Sequence, residues 1–557
     1  MEVARAQQIT PSVLRRGTPA LLGIGLVVPS IVWVALDRSV WPWDPSWYGQ
    51  VSIDLWSTLR LDRWQWPESM AQAFGAKPPA IAWLGQAFVP VGDLVGGTQV
   101  GLLLSVVACQ AVALGLLYVA CRRLGAVPLA ALAGTLVVAG SPLFTSLSHE
   151  YFVEPIQTVA VTWAVFILAS ARRWPLLLLL SQAAAAAALG VLAKVSSPVY
   201  IALPLAGAAL LWYMGRRERA TARSLTAAGV GSIVLATPLV LGAVAWYAVN
   251  LDTALDHARL ASSNTGLYGV DQGFVRELPE WVERFVQGAF LPHVWLVVLL
   301  LAAAGLALAA ARGARPSLED RAVVAAIACS GTLLLVIALF ASQPNQESRY
   351  LFPLVPFLGV LGALALSASR SRALAAATVA VLAGQFALTT TQSFGPTPID
   401  ALVSARIREP VRDGRFRSSL LGVVDSTCVP ETANRISMIG AEHPWLNHNS
   451  MTMLAFERYA RSGRKCYYTS LGYAESSVDA AWQRVVEFDP PFFVAIDYAN
   501  PSNPLPPSLR QDVARADAFN RVNRAVLARV RSSAGFELLP GSERGGLVVY
   551  RRRDGAL

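Results

Sequence analysis

Charged residues are scarce in this chain of 557 residues: they make up 15%, against roughly 25% in a typical soluble domain. Hydrophobic residues make up 54%, and long apolar stretches recur from residue 19 to residue 391. The sequence also lacks a Walker loop, a dinucleotide-binding glycine pattern and any zinc-type spacing of cysteine and histidine. This composition excludes a wholly water-soluble protein and predicts a polytopic membrane protein.

A helix needs about 20 apolar residues to cross the hydrocarbon core of a bilayer. The first apolar stretch follows two arginines and has no small-residue cleavage site after it, so we interpret it as a retained helix rather than a signal peptide. Eleven stretches are long enough to cross: 19–36, 98–120, 127–144, 152–171, 175–192, 197–214, 227–248, 293–311, 321–341, 350–369 and 373–391.

The formal charge of +10 could suggest a nucleic-acid partner, so the position of the basic residues decides its meaning. With a cytoplasmic N-terminus, 16 basic residues lie in short cytoplasmic segments, and only nine lie on the other side before residue 392. Because basic residues accumulate in cytoplasmic loops, this count favours that orientation. The loops 37–97 and 249–292 and the C-terminal region 392–557 are then extracytoplasmic, and no nucleic-acid partner is needed.

The C-terminal region is predicted to be an α/β domain that follows the membrane module 1–391. Its short apolar runs 420–424 and 492–496 resemble buried strands, and 451–461 and 519–532 have the apolar spacing of helices. Cys428 and Cys466 are its only cysteines. If this region lies outside the cytoplasm, the two are expected to form a disulfide.

The first outer loop, 37–97, is rich in aromatic residues around Asp44, Trp47 and Tyr48. The tryptophans of this loop either form an aromatic belt at the membrane boundary or provide flat walls for a sugar or lipid head group. Beneath bulky aromatics Asp44 would be partly desolvated, which raises the basicity of its carboxylate toward that of a general base. The alternative is a helix N-cap ahead of Pro45. Seven of the 16 tryptophans lie in this loop: Trp41, Trp43, Trp47, Trp56, Trp64, Trp66 and Trp83.

Three cations are predicted on the outer face, against the charge rule. Lys77 precedes two prolines and a short apolar stretch, Lys194 lies in a tight turn between two spans, and Arg349 with Tyr350 opens a late span. Charges at a membrane boundary tend to be functional, and three converging cations would hold a lipid-linked phosphate. The alternatives are a snorkelling lysine at Lys77 and a simple ion pair between Arg349 and Glu347.

Three further polar residues, His149, Glu150 and Glu154, lie between the third and fourth spans. Glu150 and Glu154 are four residues apart and are therefore expected on one helical face, where like charges repel. A cation, water or hydroxyl-rich ligand would relieve that repulsion. The alternative is a pair of solvated acids at the start of a helix, where the helix dipole favours them.

These motifs together resemble the GT-C glycosyltransferases, over roughly residues 15–370. The shared features are an acidic residue after the first span, Lys-Pro-Pro before a short apolar helix, a Leu-x-Lys turn, and Arg-Tyr-Leu-x-Pro-Leu-x-Pro opening a late span. The bacterial members similar to protein O-mannosyltransferases and to the lipid A aminoarabinose transferase (ArnT) show them in this order.

The resemblance implies an inverting membrane enzyme that moves a sugar from a polyprenyl phosphate to a glycan, lipid or protein on the outer face of the bacterial cytoplasmic membrane. It assigns Asp44 as general base, and Lys77, Lys194, Arg349 and Tyr350 as contacts of the donor phosphate. His149, Glu150, Glu154, Trp47 and Tyr48 are expected near the acceptor, and no metal is expected. Asp44-Pro45 stands where the protein mannosyltransferases have Asp-Glu.

Two other classes of protein also accommodate many spans. A lipid transporter or flippase usually has its polar site at mid-membrane and shows internal repeats, whereas the polar residues here cluster at one boundary. A sensor or scaffold needs far fewer than eleven spans to anchor an outer domain. A glycosyltransferase is therefore the favoured interpretation, with the transporter as its alternative.

Overall fold

The computed structural model describes residues 2–215, 226–263, 272–311, 320–398, 400, 407–432, 435–472, 475–497, 502, 504–506, 509 and 517–553. Six arginines used to predict the orientation lie outside the described residues, namely Arg216, Arg217, Arg219, Arg223, Arg312 and Arg315. The orientation itself therefore stays a prediction.

Helices dominate the described part of the chain, which contains twenty α-helices, labelled α1 to α20 in chain order. Their bounds are Glu2–Leu36, Trp43–Leu61, Trp66–Gln72, Ala80–Val95, Thr98–Arg123, Pro128–Ala139, Pro142–Ser148, Glu154–Ser170, Leu176–Ala193, Ser197–Met214, Thr226–Ser263, Phe274–Ala289, Val294–Ala311, Asp320–Ala341, Val355–Ala368, Arg372–Gln392, Arg415–Thr427, His448–Tyr459, Val478–Phe488 and Asp517–Ser532. Short 3-10 helices lie at Ala171–Arg173, Ser348–Leu354, Pro430–Thr432 and Ala460–Ser462.

All eleven predicted spans correspond to helices of the structure. Within the described residues nine helices are long and apolar enough to cross a membrane. Two bent pairs, α6 with α7 and α12 with α13, bring the number to eleven if each pair is one span. The bends measure 59° and 89°. The predicted fold class, a multi-pass helical membrane protein with a small C-terminal α/β region, is confirmed.

The chain forms two compact units. The first, here called the helical unit, comprises Met1–Ala35, Met70–Ile81 and Leu103–Glu409. The second, here called the sheet unit, comprises Leu36–Ser69, Ala82–Leu102 and Pro410–Leu557. It thus includes parts of the first outer loop as well as the C-terminal region. The predicted boundary between a membrane module and an outer domain at residues 391 and 392 stays a prediction.

Close helix packing in the helical unit depends on small residues. Gly134 of α6 and Gly359 of α15 face each other so closely that a Cβ on either would collide with the carbonyl oxygen of the other. Small residues at such crossings let two backbones approach closely and gain dispersion energy. Between helices in a membrane this packing stabilises the contact, because apolar side chains gain no hydrophobic free energy when they leave lipid.

The sheet unit contains a five-stranded mixed sheet between two layers of helices. Its strands β1 to β5 are Ile436–Gly440, Tyr467–Ser470, Phe492–Ile496, Phe536–Leu538 and Leu547–Arg552, in the order β2-β1-β3-β5-β4. β1 is parallel to β2 and β3, whereas β5 is antiparallel to β3 and β4. Because side chains alternate along a strand, Val494 packs in the core that contains α17 and α18, and Phe493 in the core that contains α19 and α20.

Most of the predicted C-terminal elements are present, but one is wrong. The predicted strand 492–496 is β3, and the predicted helices 451–461 and 519–532 correspond to α18 and α20. The run 420–424, predicted to be a strand, lies instead in α17. Its buried residues Leu420, Val423, Val424 and Thr427 follow helical spacing, which a five-residue window of apolar residues cannot reveal.

The predicted disulfide is present, and it links Cys428 after α17 to Cys466 before β2. The other three cysteines, Cys109, Cys121 and Cys329, are free and buried. In the denatured chain, we expect a polymer-tagged maleimide to label three cysteines without reduction and five after it. A gel-shift assay on protein taken directly from cells measures this number. Five labels without reduction would contradict the disulfide and an oxidising compartment.

Candidate active site

A buried carboxylate lies between two cations in the helical unit. Glu154 is the first residue of α8 and is only 1% exposed. Its Oε1 atom lies 2.8 Å from Nζ of Lys194 and 3.8 Å from Nε of Arg349. Lys194 is the C-cap of α9, and Arg349 belongs to the 3-10 helix Ser348–Leu354. Two of the predicted phosphate ligands are therefore brought together around one acidic residue.

Aromatic rings surround the two cations. Nζ of Lys194 lies 3.3 Å from the ring centroid of Tyr350, and Cζ of Arg349 lies 4.2 Å from that of Phe152. Tyr350 also stacks on Phe340, with centroids 5.7 Å apart. The Tyr200 hydroxyl donates a 2.8 Å hydrogen bond to the carbonyl of Tyr350. We call Glu154, Lys194, Arg349 and Tyr350 the cationic cluster. The rings of Tyr350 and Phe152 hold the two cations by cation–π attraction and restrict their motion.

The charges of the cationic cluster are only partly balanced. Glu347, which lies 3.6 Å from Nε of Arg349, is 45% exposed, so water screens that ion pair. Oε2 of Glu154 accepts no hydrogen bond from the described residues. Burial lowers the pKa of Lys194 to about 8, although the nearby carboxylate of Glu154 opposes the shift. Lys194 is therefore a cation at neutral pH that loses its charge in mild alkali.

The segment before α8 corrects the expectation for the two glutamates. α8 begins at Glu154, with Pro155 in its first turn, so Glu150 precedes the helix and the two do not share a helical face. Glu154 is also not a solvated helix-start acid, since it is buried between cations. Burial raises the pKa of Glu150, with Arg408 and Arg349 opposing the shift.

His149 is packed rather than accessible. It is 3% exposed, and its ring stacks on Trp33 with centroids 4.0 Å apart. Burial, with a smaller contribution from Arg408, lowers the pKa of His149 to about 3, so the imidazole is neutral at physiological pH. The Trp33 indole in turn donates to the carbonyl of Ser393 at 3.0 Å. A role of His149 toward the acceptor stays a prediction.

Lys77 lies in a loop that is held at both ends. Ahead of it, Trp246 and Asn250 of α11 donate hydrogen bonds to the carbonyls of Ala73 and Ala71 at 2.9 and 2.7 Å. Behind it, the buried Tyr151 hydroxyl donates to Ile81 at 2.8 Å. Lys77 itself is half-buried, three residues before α4. Its contact with a phosphate stays a prediction.

Asp44 lies in the sheet unit, in the first turn of α2. The N-cap of this helix is Pro42, and no side chain caps it, so the N-cap interpretation of Asp44 is wrong. Asp44 is half-buried. In the same turn, Trp47 stacks on the buried Tyr48 with centroids 6.4 Å apart. The role of Asp44 as general base stays a prediction.

Sequence reasoning missed several residues around these positions. Phe152, Tyr200 and Phe340 support the cationic cluster, but nothing in the sequence distinguishes them from other aromatic residues of the spans. Glu442, after β1, accepts a 3.0 Å hydrogen bond from the indole of Trp43. The available signal was an acid and two histidines within 442–448, directly after a short apolar run.

Among the residues that the structure describes, no three His, Cys, Asp or Glu side chains are grouped so that they could hold a metal ion. That the protein uses no metal stays a prediction.

Comparison with known proteins gives a family match and a shared fold. Residues 285–395 match the Alg9-like mannosyltransferase family. No curated protein sequence matches the chain significantly. The solved structure of ArnT from Cupriavidus metallidurans in the apo state is similar, with 14% identity and a TM-score of 0.54, over 95% of this chain and 97% of that chain.

The same protein bound to undecaprenyl phosphate is also similar, with 14% identity and a TM-score of 0.54, over 97% of this chain and 99% of that chain. At this identity the structural similarity establishes the fold. The family match covers residues 285–395. Both findings agree with the resemblance found in the sequence: the chain has the fold of ArnT, and part of it is similar to a mannosyltransferase family.

Proposed function

We propose that this protein transfers a sugar from a polyprenyl phosphate to a hydroxyl-bearing acceptor on the outer face of the bacterial cytoplasmic membrane. The observation that carries the proposal is the cationic cluster, in which Lys194 and Arg349 share the buried carboxylate of Glu154. The similar ArnT structure with bound undecaprenyl phosphate supports a polyprenyl phosphate as the lipid. The family match makes mannose the first sugar to test.

In this proposal the cationic cluster binds the phosphate of the donor. The guanidinium of Arg349 and the ammonium of Lys194 donate charge-assisted hydrogen bonds to its oxygens, and Lys77 adds a third cation. Glu154 offsets part of the charge of the two half-buried cations in the absence of donor, because an unpaired charge out of water is costly. Tyr350 fixes the direction of the Lys194 ammonium through the face of its ring.

The chemical step follows from the resemblance and the chemistry of a sugar phosphate. Asp44 removes the proton of the acceptor hydroxyl as that oxygen bonds to carbon 1 of the sugar. The bond between carbon 1 and the phosphate oxygen breaks, and its electron pair leaves with the phosphate. Because the attack comes from the opposite side, the anomeric centre is inverted. Stabilisation of the leaving phosphate by fixed cations is the main catalytic contribution, and the proposal includes no metal.

Neither the described residues nor the comparisons favour the transporter alternative. The acceptor, whether glycan, lipid or protein, is proposed only at the level of its hydroxyl group. Trp47, Tyr48 and Glu150 remain the proposed acceptor-side residues, with His149 as a packed neighbour of Trp33.

Removal of either cation should weaken donor binding. We expect Arg349→Ala and Lys194→Ala each to reduce the affinity of the purified full chain for undecaprenyl phosphate by about 10- to 100-fold, since a hydrogen bond to a charged group contributes roughly 1.5–3 kcal/mol. Fluorescence or calorimetric titration of the protein in nanodiscs measures this affinity. Arg259→Ala, which removes a solvent-exposed ion pair with Asp256, is the matched control. Unchanged affinity in both site variants would exclude this cluster as the phosphate site.

Donor binding should also depend on pH through Lys194. Its pKa of about 8 means that the ammonium is present at pH 7 and largely lost at pH 9. The affinity of the wild type for undecaprenyl phosphate should therefore fall by up to about tenfold between pH 7 and pH 9. Lys194→Arg keeps its charge over this range and should flatten the profile. The same fall in wild type and Lys194→Arg would assign the effect to another group.

Loss of the Asp44 carboxylate should stop turnover without loss of donor binding. We expect Asp44→Asn to reduce the rate by about 10²–10⁴-fold, the usual contribution of a general base. The assay follows radiolabel from undecaprenyl phosphomannose into the cell envelope fraction of a strain that lacks this chain. A parallel assay uses undecaprenyl phosphoaminoarabinose, because the sequence also resembles the lipid A aminoarabinose transferase. Asp62→Asn, at the other end of α2, is the control. Near-normal turnover in Asp44→Asn would remove this residue from the mechanism.

A further inference from the structure

The loop that joins β1 to α18, residues 441–447, contains buried polar residues at the carboxyl end of a parallel strand. From β1 the chain continues to β2 on one side, whereas β3 pairs with β1 on the other. In open α/β sheets, ligands bind at the carboxyl ends of the strands where the strand order reverses in this way. Glu442 of this loop is 6% exposed, and His443 and Asn447 are fully buried.

Local hydrogen bonds fix the shape of the loop. The backbones of His443 and Leu446 exchange hydrogen bonds of 2.9 and 3.1 Å. Asn447 and Ser450 form a reciprocal capping box at the start of α18. The ring of His443 stacks on Trp445, with centroids 4.6 Å apart. Such a loop holds the side chains at its two ends in defined positions, as a binding site requires.

Glu442, near the start of this loop, and His448, the first residue of α18, face each other with unused hydrogen-bonding capacity. Oε1 of Glu442 lies 3.9 Å from Nδ1 of His448, too far for a direct hydrogen bond. Neither atom has a hydrogen-bond partner among the described residues, although both are buried. The second oxygen of Glu442 is already fixed by the indole of Trp43. Because a buried carboxylate oxygen without a partner is costly, the pair calls for a ligand.

We propose that Glu442 and His448 bind a hydroxyl group of the acceptor. An oxygen atom can lie about 2.8 Å from both Oε1 and Nδ1, since these atoms are 3.9 Å apart. A hydroxyl suits this position because it donates to the carboxylate and accepts from the imidazole N–H. The side chain of His448 is 29% exposed although its Nδ1 is buried, so the pair lies directly beneath the surface of the protein.

The position of the pair relates it to Asp44. Trp43, whose indole binds Glu442, directly precedes Asp44 in the first turn of α2. α2 and α18 run side by side, with Gly49 against Met453 and the Ser57 hydroxyl bonded to the carbonyl of Ala460 at 2.5 Å. A hydroxyl bound by Glu442 and His448 therefore lies beside the turn that carries the proposed base. This inference rests on the proposed function and assigns its acceptor side.

The experiment separates acceptor binding from donor binding. The assay measures the transfer of label by the full chain in nanodiscs, from undecaprenyl phosphomannose or undecaprenyl phosphoaminoarabinose, to the cell envelope fraction of a strain that lacks this chain. Glu442→Gln retains an oxygen for Trp43 but replaces Oε1 by an amide nitrogen that cannot accept. His448→Gln removes the Nδ1 donor, whereas His448→Asn can place an amide N–H near the same position. Glu537→Gln and His293→Asn are surface controls.

We expect Glu442→Gln and His448→Gln each to raise the amount of envelope fraction needed for half-maximal rate by about tenfold or more, with the donor KM and the undecaprenyl phosphate affinity unchanged. His448→Asn should recover part of the loss. Unchanged donor affinity also shows that the variants are folded. Acceptor dependence equal to that of the controls, or a change in donor KM instead, would overturn the inference while the proposed function stands. No transfer by the wild type, with either donor, would overturn both.

Discussion

The burial of the Glu154 carboxylate between two cations is the interaction on which the helical unit's site depends. A carboxylate that is 1% exposed is stable only when paired, and breaking such a pair costs about 3–5 kcal/mol. Its partners come from the end of α9 and from the 3-10 helix before α15, so one carboxylate connects three segments that are distant in sequence. The same carboxylate offsets the repulsion between Lys194 and Arg349, so both cations can lie together at the proposed phosphate site.

Glu442 repeats this arrangement in the sheet unit with different partners. Each of the two glutamates has one oxygen engaged and another that accepts no hydrogen bond from the described residues. In Glu154 the engaged oxygen faces cations, which suits exchange with an anion. In Glu442 it faces an indole N–H, and the remaining oxygen faces an imidazole, which suits a neutral hydroxyl. In the proposed mechanism the partner of each carboxylate therefore matches the substrate group bound beside it, an anionic phosphate at Glu154 and a neutral hydroxyl at Glu442.

The sequence revealed the spans and the cations for a simple reason. A stretch of about 20 apolar residues has few stable alternatives to a membrane helix, and Lys194 and Arg349 stood out because they violate the charge rule. The pairing of Glu154 with Lys194 could not be predicted, since 40 residues and a complete antiparallel pair of helices separate them. The run 420–424 was too short to distinguish a strand from a helix. Glu442 required knowledge that α2 packs on α18, which no local pattern contains.

Binding of a lipid phosphate at the cationic cluster can be observed in an experimental structure of the chain in nanodiscs with undecaprenyl phosphate. We expect the phosphate within hydrogen-bond distance of Nζ of Lys194 and the guanidinium of Arg349. A phosphate bound elsewhere, with the 2.8 Å contact between Lys194 and Glu154 unchanged and the guanidinium free of the lipid, would contradict this expectation.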